Sequence, residues 1–214
     1  MGNVKSSPVL SDKDVAVVCN TTGMERDLVL KAFSAFIEEH PKGRIEPKDF
    51  SKMMTKKMDK KAASKIEKHV FRIFNSKKDG YIDFIEFMLI FYTMANGKPE
   101  DVIKMIFGVF DINGDGTIDE KEMRRLVKDM YDLIKADDSE TQSRDLIARC
   151  VFTEMDANGD GKITLDEFVA ACFAQEELSK MLVLKVMDVL EALESSKISS
   201  MLKEEKIENS SKLI

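Results

Sequence analysis

The sequence has none of the long apolar runs that mark a membrane or secreted protein. No stretch of eighteen apolar residues, the usual length of a membrane-spanning helix, occurs in the 214 residues. The first residues also lack the apolar core of a secretory signal. We therefore expect a protein of the cytoplasm.

Residues that commonly perform catalysis are scarce as well. Cys19, Cys150 and Cys172 are scattered, so they form neither a disulfide framework nor a cysteine-rich metal site, and we expect free thiols. His40 and His69 lie apart from each other and from any serine or cysteine pattern typical of a nucleophile. We read both histidines as surface residues. The chain is acidic, with a net charge of −6, and we expect neither enzymatic activity nor a nucleic-acid partner.

The most informative feature is a pair of matching twelve-residue windows, DINGDGTIDEKE at 111–122 and DANGDGKITLDE at 156–167. A Ca²⁺ ion takes about 6–8 oxygen ligands, and a loop of this length supplies them from positions 1, 3, 5, 7, 9 and 12, with a glycine at position 6 for the sharp turn. The predicted ligands are Asp111, Asn113, Asp115, the Thr117 carbonyl, Asp119 and Glu122 in the first window, and Asp156, Asn158, Asp160, the Lys162 carbonyl and Glu167 in the second. Position 9 of the second window is Thr164, which would act through water. The two windows therefore predict two bound Ca²⁺ ions in loops of the EF-hand type.

Two damaged copies of the same loop precede these windows. Placing Gly80 at position 6 gives a loop at 75–86, in which Lys77 stands where an oxygen ligand is needed. An ammonium has no lone pair and repels a cation, so we expect no Ca²⁺ there, and weak Mg²⁺ occupancy is left open. Placing Gly43 at position 6 gives a loop at 38–49 that is almost without ligands. This first hand is expected to be structural only.

The spacing of the loops predicts the organisation of the chain. They start at residues 38, 75, 111 and 156, so the first two and the last two should pair, and Ile118 and Ile163 at position 8 should join the last two by a short β-bridge. Apolar residues recur at helical spacing on both sides of the third loop. The predicted fold is all-α, with four EF-hands in two pairs and an additional C-terminal helix. The predicted parts are an N-terminal segment at 1–25, a first EF-hand pair at 26–97, a second pair at 98–174, and a C-terminal helix with a polar tail at 175–214, with an exposed loop at 135–145.

The first pair is richer in aromatic residues and methionine than two small cores require. Methionine adapts to irregular partners, and calcium sensors bind amphipathic target helices in grooves lined by such residues. We therefore expect that some of these residues line a groove for a helix of a target protein. The candidates are Phe33, Phe36, Phe50, Met54, Phe71, Phe87, Met88 and Phe91.

The N-terminus carries a lipidation pattern. Residues 1–6 read MGNVKS, which fits N-myristoylation of Gly2 after removal of the methionine. One myristoyl chain binds a membrane only marginally, so a second signal must help. Residues 1–98 carry 18 Lys and Arg against 13 Asp and Glu, and a basic run could meet anionic lipid or be a solvated helix face. That run comprises Lys56, Lys57, Lys60, Lys61, Lys65 and Lys68. We expect the protein at the cytoplasmic face of membranes as well as in the cytoplasm.

Together, the acylation pattern, the disabled first loop around His40-Pro41-Lys42-Gly43 and the loop spacing resemble the neuronal calcium sensor family, which includes the recoverin, frequenin, visinin-like and potassium-channel-interacting types. The resemblance covers about residues 1–190. It implies a myristoylated Gly2, Ca²⁺ in the working hands, and a hydrophobic groove that engages membrane proteins or signalling enzymes. The sequence departs from the family pattern at His40, where members usually have cysteine, and in having no tryptophan in the first helix. A dead second hand with intact third and fourth hands resembles the potassium-channel-interacting branch most.

The C-terminal part has a further amphipathic pattern. Leucine, methionine and valine recur from residue 176 to 195 and are followed by a polar tail. We hypothesise that this helix occupies the groove until a target or Ca²⁺ displaces it.

Three classes of function fit the sequence. The favoured one is a sensor that couples Ca²⁺ to a membrane-associated target such as a channel, receptor kinase, cyclase or lipid kinase. The alternatives are a constitutive regulatory subunit of an enzyme, of the calcineurin B type, and a calcium buffer. Lys77 argues against the subunit, whose hands are usually more complete, and the lipidation pattern argues against the buffer. Homodimer formation is left open.

Overall fold

The computed structural model describes residues 8–57, 60–133 and 141–175, together with positions 180, 186, 187, 189, 190, 193 and 198. Helices dominate the described residues, and each strand is only two or three residues long. The elements in chain order are α1 (Asp12–Thr22), α2 (Arg26–Glu39), β1 (Arg44–Ile45), α3 (Pro47–Lys57), α4 (Lys60–Phe74), β2 (Ile82–Asp83), α5 (Phe84–Asn96), α6 (Pro99–Phe110), β3 (Thr117–Asp119), α7 (Glu120–Leu133), α8 (Thr141–Met155), β4 (Lys162–Thr164) and α9 (Leu165–Ala174). The predicted all-α EF-hand fold is confirmed.

The short strands join the loops in the predicted pairs. β1 and β2 are antiparallel, with Ile45 opposite Ile82, and β3 and β4 are antiparallel, with Ile118 opposite Ile163. All four isoleucines are fully buried. Because position 8 of each loop points into a core, an apolar β-branched side chain there fixes the register of the pair.

The helices that leave the loops begin at reciprocal side-chain caps. Asp83 accepts a hydrogen bond from the Glu86 N–H at 2.9 Å, and Glu86 accepts one from the Asp83 N–H at 3.1 Å. Thr164 and Glu167 repeat the arrangement at the start of α9. The same residues that occupy loop positions 9 and 12 therefore satisfy the free N–H groups of the helix.

The chain divides into two compact units. One takes the described residues of Met1–Phe50, Phe74–Gly97 and Glu194–Ile214, and the other takes those of Ser51–Ile73 and Lys98–Leu193. The first unit has an aromatic core, in which Phe87 lies 4.5 Å from Phe91 and 5.3 Å from Phe36 between ring centroids. In the second unit, Phe168 packs edge-on against Phe107 at 5.5 Å.

Two local features differ from or add to the sequence prediction. The loop expected at 135–145 is shorter, because α8 begins at Thr141, and its other residues lie outside the described part. A polar first helical turn carries no apolar periodicity, so the pattern missed it. Helix α1 had no counterpart in the prediction; Ser11 caps it by accepting a 3.1 Å hydrogen bond from the Asp14 N–H, and the helix packs on α2 and α5.

The predicted C-terminal helix falls mostly outside the described residues. The positions that are described there are helical, and the buried ones follow helical spacing: Val186, Val189, Leu190, Leu193 and Ile198. Across the described part of the chain, every helix is too short or too polar to cross a bilayer.

Candidate calcium-binding loops

The third loop is closed around the carboxylate of Asp111. This residue directly follows α6 and is only 8 % exposed. Its carboxylate accepts hydrogen bonds from the N–H groups of Gly114 at 2.7 Å, Asp115 at 3.1 Å and Gly116 at 3.0 Å. Gly114 and Gly116 have positive φ angles of 72° and 87°, which glycine adopts without strain. The loop backbone thus wraps its first predicted ligand.

Glu122 closes the loop from the other side. Its Oε1 accepts a hydrogen bond from the Asn113 N–H at 2.9 Å, and its Oε2 accepts one from the Asp119 N–H at 3.0 Å. The residue is 7 % exposed and lies in the first turn of α7, where the helix dipole favours a carboxylate. Both oxygens of the predicted bidentate ligand therefore face the loop interior.

Asp115, at loop position 5, is held in its charged form by its own loop. Hydrogen bonds from the Thr117 side chain at 2.7 Å and backbone at 2.9 Å, with another from the Asn113 amide, lower the pKa of Asp115 below its ordinary value. An ionised carboxylate is the form that can bind a cation.

The fourth loop repeats this hydrogen-bond pattern. Asp156 accepts from the N–H groups of Asp160 at 3.2 Å and Gly161 at 3.0 Å, and Glu167 accepts from those of Asn158 at 3.3 Å and Thr164 at 2.9 Å. The hydrogen bonds from Thr164 are the main cause that lowers the pKa of Glu167. The third and fourth loops thus share the same hydrogen-bond arrangement.

The donor chemistry of both loops fits Ca²⁺. The side chains of each loop offer carboxylate and amide oxygens, which hard cations prefer, and backbone N–H groups of the loop bond several of them. Among the described residues no three His, Cys, Asp or Glu side chains stand close enough together to hold a metal by themselves. Each predicted donor set also includes an amide oxygen, of Asn113 or Asn158, and a backbone carbonyl, of Thr117 or Lys162.

The first and second loops contain cations of their own. In the first loop, Lys42 and Arg44 pair with Glu46 at 2.9 and 3.2 Å, and their hydrogen bonds lower the pKa of Glu46. The turn at Gly43 has a φ of 71°, and Pro8 packs so closely that a Cβ on Gly43 would lie 2.7 Å from it. In the second loop, Lys77 pairs with Asp83. That neither loop takes Ca²⁺ stays a prediction.

The residues proposed to line a target groove are mostly in the core. Phe33 and Phe71 are partly exposed, whereas the other six are buried: Phe36, Phe50, Met54, Phe87, Met88 and Phe91. A groove formed by these six would require their helices to move apart, so the assignment stays a prediction.

The predicted lipidation site, Gly2, lies outside the described residues. In the basic run, Lys56, Lys60, Lys61 and Lys68 are exposed, and the side chains of Lys57 and Lys65 are outside the description.

Sequence reasoning missed two residues of α4 that contact the third hand. Arg72 donates hydrogen bonds to the carbonyls of Gly108 and Ile112, at the end of α6 and the start of the third loop. His69 was predicted to be on the surface, which is wrong: it is 2 % exposed, with Nε2 3.8 Å from Asp129 of α7. Burial is the main cause that lowers its pKa to about 4, and the positive charges of Arg72, Arg125 and Lys68 add to the effect. His40 is partly buried against Phe36.

Comparisons with known proteins agree with this architecture. A family model described as an EF-hand domain pair matches residues 100–173, and a second of the same description matches residues 41–93. S-modulin of Aquarana catesbeiana is 26 % identical over 202 residues, which cover 92 % of this chain and 100 % of that protein, and human recoverin is 25 % identical over 201 residues with the same coverage. Guanylyl cyclase-activating protein 2 of Lithobates pipiens is 31 % identical over 160 residues, covering 72 % of this chain and 81 % of that protein. These relatives are neuronal calcium sensors. The chain belongs to the neuronal calcium sensor family.

Proposed function

We propose that this calcium sensor binds one Ca²⁺ in each of the third and fourth loops and carries a myristoyl group on Gly2. The observation behind the metal assignment is the shared hydrogen-bond pattern of these two loops around complete oxygen donor sets. The ligands are those named for the third and fourth loops above. Bound Ca²⁺ would supply the positive charge that allows the carboxylates of a loop to converge.

The chain's own residues connect the loops to the helices. Glu122 and Glu167 each belong to both a loop and the first turn of a helix, α7 or α9. A shift of either carboxylate therefore turns the helix that carries it, which changes the angle between the two helices of that hand. In sensor EF-hands such a change exposes apolar surface for a target helix.

The target class follows from the membrane signal and the family. A lipidated sensor meets partners at the cytoplasmic face of a membrane, which include channels, receptor kinases, cyclases and lipid kinases. One relative is, by its name, an activator of a guanylyl cyclase. A membrane guanylyl cyclase is therefore the first target to test for this chain.

The metal assignment is tested by calorimetric titration of the full chain with Ca²⁺. Glu122→Gln and Glu167→Gln should each remove one of two sites, because each removes the bidentate ligand of one loop. Glu120→Gln and Asp166→Asn are matched controls, since each removes a neighbouring carboxylate that is not a ligand, half-buried at Glu120 and exposed at Asp166, and both should leave two sites. Equal stoichiometry in the Glu122→Gln variant and its control would show that the site is misassigned.

The membrane assignment is tested by co-sedimentation of the acylated protein with anionic liposomes, with Ca²⁺ and with a chelator, beside Gly2→Ala. Pelleting that needs both Gly2 and Ca²⁺ is the expected result for a sensor with a calcium-controlled acyl group. Pelleting that needs Gly2 but not Ca²⁺ would instead favour the permanently anchored enzyme subunit. Absence of pelleting would favour the calcium buffer.

A further inference from the structure

The second loop has the backbone of a calcium loop although it lacks the ligands of one. Positions 4 and 6 have positive φ in all three loops from the second to the fourth: 56° and 89° at Lys78 and Gly80, 72° and 87° in the third loop, and 70° and 83° in the fourth. A lysine rarely adopts a positive φ, so the loop conformation is maintained here against the preference of the residue.

The hydrogen bonds of the second loop also match those of the other two. Glu86 accepts from the N–H groups of Lys77 at 2.9 Å and Asp83 at 3.1 Å, as Glu122 and Glu167 accept from positions 3 and 9 of their loops. Asn75 accepts from the Asp79 N–H at 3.2 Å, as Asp111 accepts from position 5 of its loop. The second loop therefore carries its three carboxylates, at positions 5, 9 and 12, on the same backbone frame as the other two loops.

Lys77 supplies a cation to these carboxylates. Its ammonium donates to Asp83, and it comes from position 3, where the third and fourth loops have asparagine. Burial by itself lowers the pKa of Lys77, but the hydrogen bond to Asp83 and the attraction of Asp83, Glu86 and Asp79 outweigh it, and the pKa is raised. The acidic side chains at positions 5, 9 and 12 thus all interact with this one charge.

We propose that Lys77 is a built-in cation that takes the place of a metal ion in the second loop and keeps the first pair of hands independent of Ca²⁺. The first pair would then keep one conformation with and without Ca²⁺. The proposal goes beyond the proposed function and does not depend on which other loops bind Ca²⁺.

The test compares two adjacent lysines in the full-length chain. Lys77→Asn gives the second loop two asparagines and three carboxylates, the same number of carboxylates as the fourth loop, and should add one Ca²⁺ to the stoichiometry measured by calorimetry. Lys78→Asn makes the same change in charge at an exposed position that is not a ligand and should add none. Lys77→Arg keeps the cation and should behave like the unmodified chain. The proposal is judged by the difference in Ca²⁺ stoichiometry between each variant and the unmodified chain. A failure of the third or fourth loop to bind Ca²⁺ would instead lower the stoichiometry of the unmodified chain itself.

Hydrogen exchange in a chelator gives a second readout. Without the ammonium the three carboxylates repel one another, so the amides of β1 and β2 should exchange about two- to fivefold faster in Lys77→Asn than in Lys77→Arg, and Ca²⁺ should restore the slower rate. Equal Ca²⁺ stoichiometry in the two asparagine variants would overturn the proposal. So would Mg²⁺ or Ca²⁺ binding to the second loop of the unmodified chain.

Discussion

Arg72 Nη1 lies 2.6 Å from the carbonyl oxygen of Ile112, the second residue of the third loop. The same guanidinium donates to the carbonyls of Gly108 at 2.8 Å and Val109 at 3.1 Å. Carbonyls in the last turn of a helix have no partner within the helix, and a positive charge is favourable at that end. Arg72, from α4, therefore caps α6 where it leads into the loop.

Replacing Arg72 should destabilise the fold. Arg72→Met removes charged hydrogen bonds to carbonyls that are partly buried, and we expect the free energy of unfolding to fall by about 1–3 kcal/mol. Urea denaturation in a chelator measures the change. Lys68→Met is the matched control, because Lys68 is an exposed cation on the same helix, and its loss should cost less than about 0.5 kcal/mol. Equal losses in the two variants would contradict the cap.

Burial of His69 should make stability depend on pH. Its folded pKa of about 4 is below the ordinary value of 6.5, so between these pH values the unfolded chain binds a proton that the folded chain does not. Stability should therefore fall as the pH is lowered through this window, by at most about 3 kcal/mol, and this contribution should level off below pH 4.

The measurement is urea denaturation at pH 7 and pH 4.5. His69→Gln should lose this part of the pH dependence, whereas His40→Gln should keep it. The titrating carboxylates contribute equally to the variant and to the unmodified chain, so the difference between the two chains reports the one histidine that was replaced. A pH dependence that is unchanged in His69→Gln would show that the buried imidazole is not its source.

The third loop should bind Ca²⁺ at least as tightly as the fourth. It offers four carboxylates, whereas the fourth has Thr164 in place of Asp119 and offers three. Asp119→Thr should weaken the third site and Thr164→Asp should strengthen the fourth, measured by calorimetry. Both residues cap a helix by accepting from the N–H of the glutamate three residues later, and both Asp and Thr do this, so the exchange keeps the cap. If neither affinity changed, position 9 would have no part in binding.

The cysteines should differ in reactivity. All three are free thiols; Cys150 is exposed, and burial raises the pKa of the Cys172 thiol to about 11. The thiolate is the reactive form, so an alkylating reagent at pH 7.5 should modify Cys172 at least about a hundredfold more slowly than Cys150. Mass spectrometry of the labelled peptides measures both rates, with Cys150→Ser as the control for assignment. Comparable rates would mean that the region around Cys172 opens readily.

The sequence by itself determined the loops and their pairing. All ligands of an EF-hand lie within twelve consecutive residues, so their spacing can be read without knowing how distant parts meet. The isoleucines at position 8 of the third and fourth loops specify the β-bridge in the same local way, and the structure has this bridge as predicted, with a second one between Ile45 and Ile82. The repeat was therefore sufficient for the fold class.

Only the tertiary structure decided which residues of distant elements meet. Arg72 and Ile112 are 40 residues apart, and neither lies in a pattern that predicts the contact. His69 is polar and was placed on the surface, yet packing against the third hand buries it. Six of the eight residues proposed for a groove are in the core for the same reason. Helical periodicity shows that a helix has an apolar face. Which element covers this face depends on how all the side chains of the unit pack together, and the sequence pattern of one helix does not contain that information.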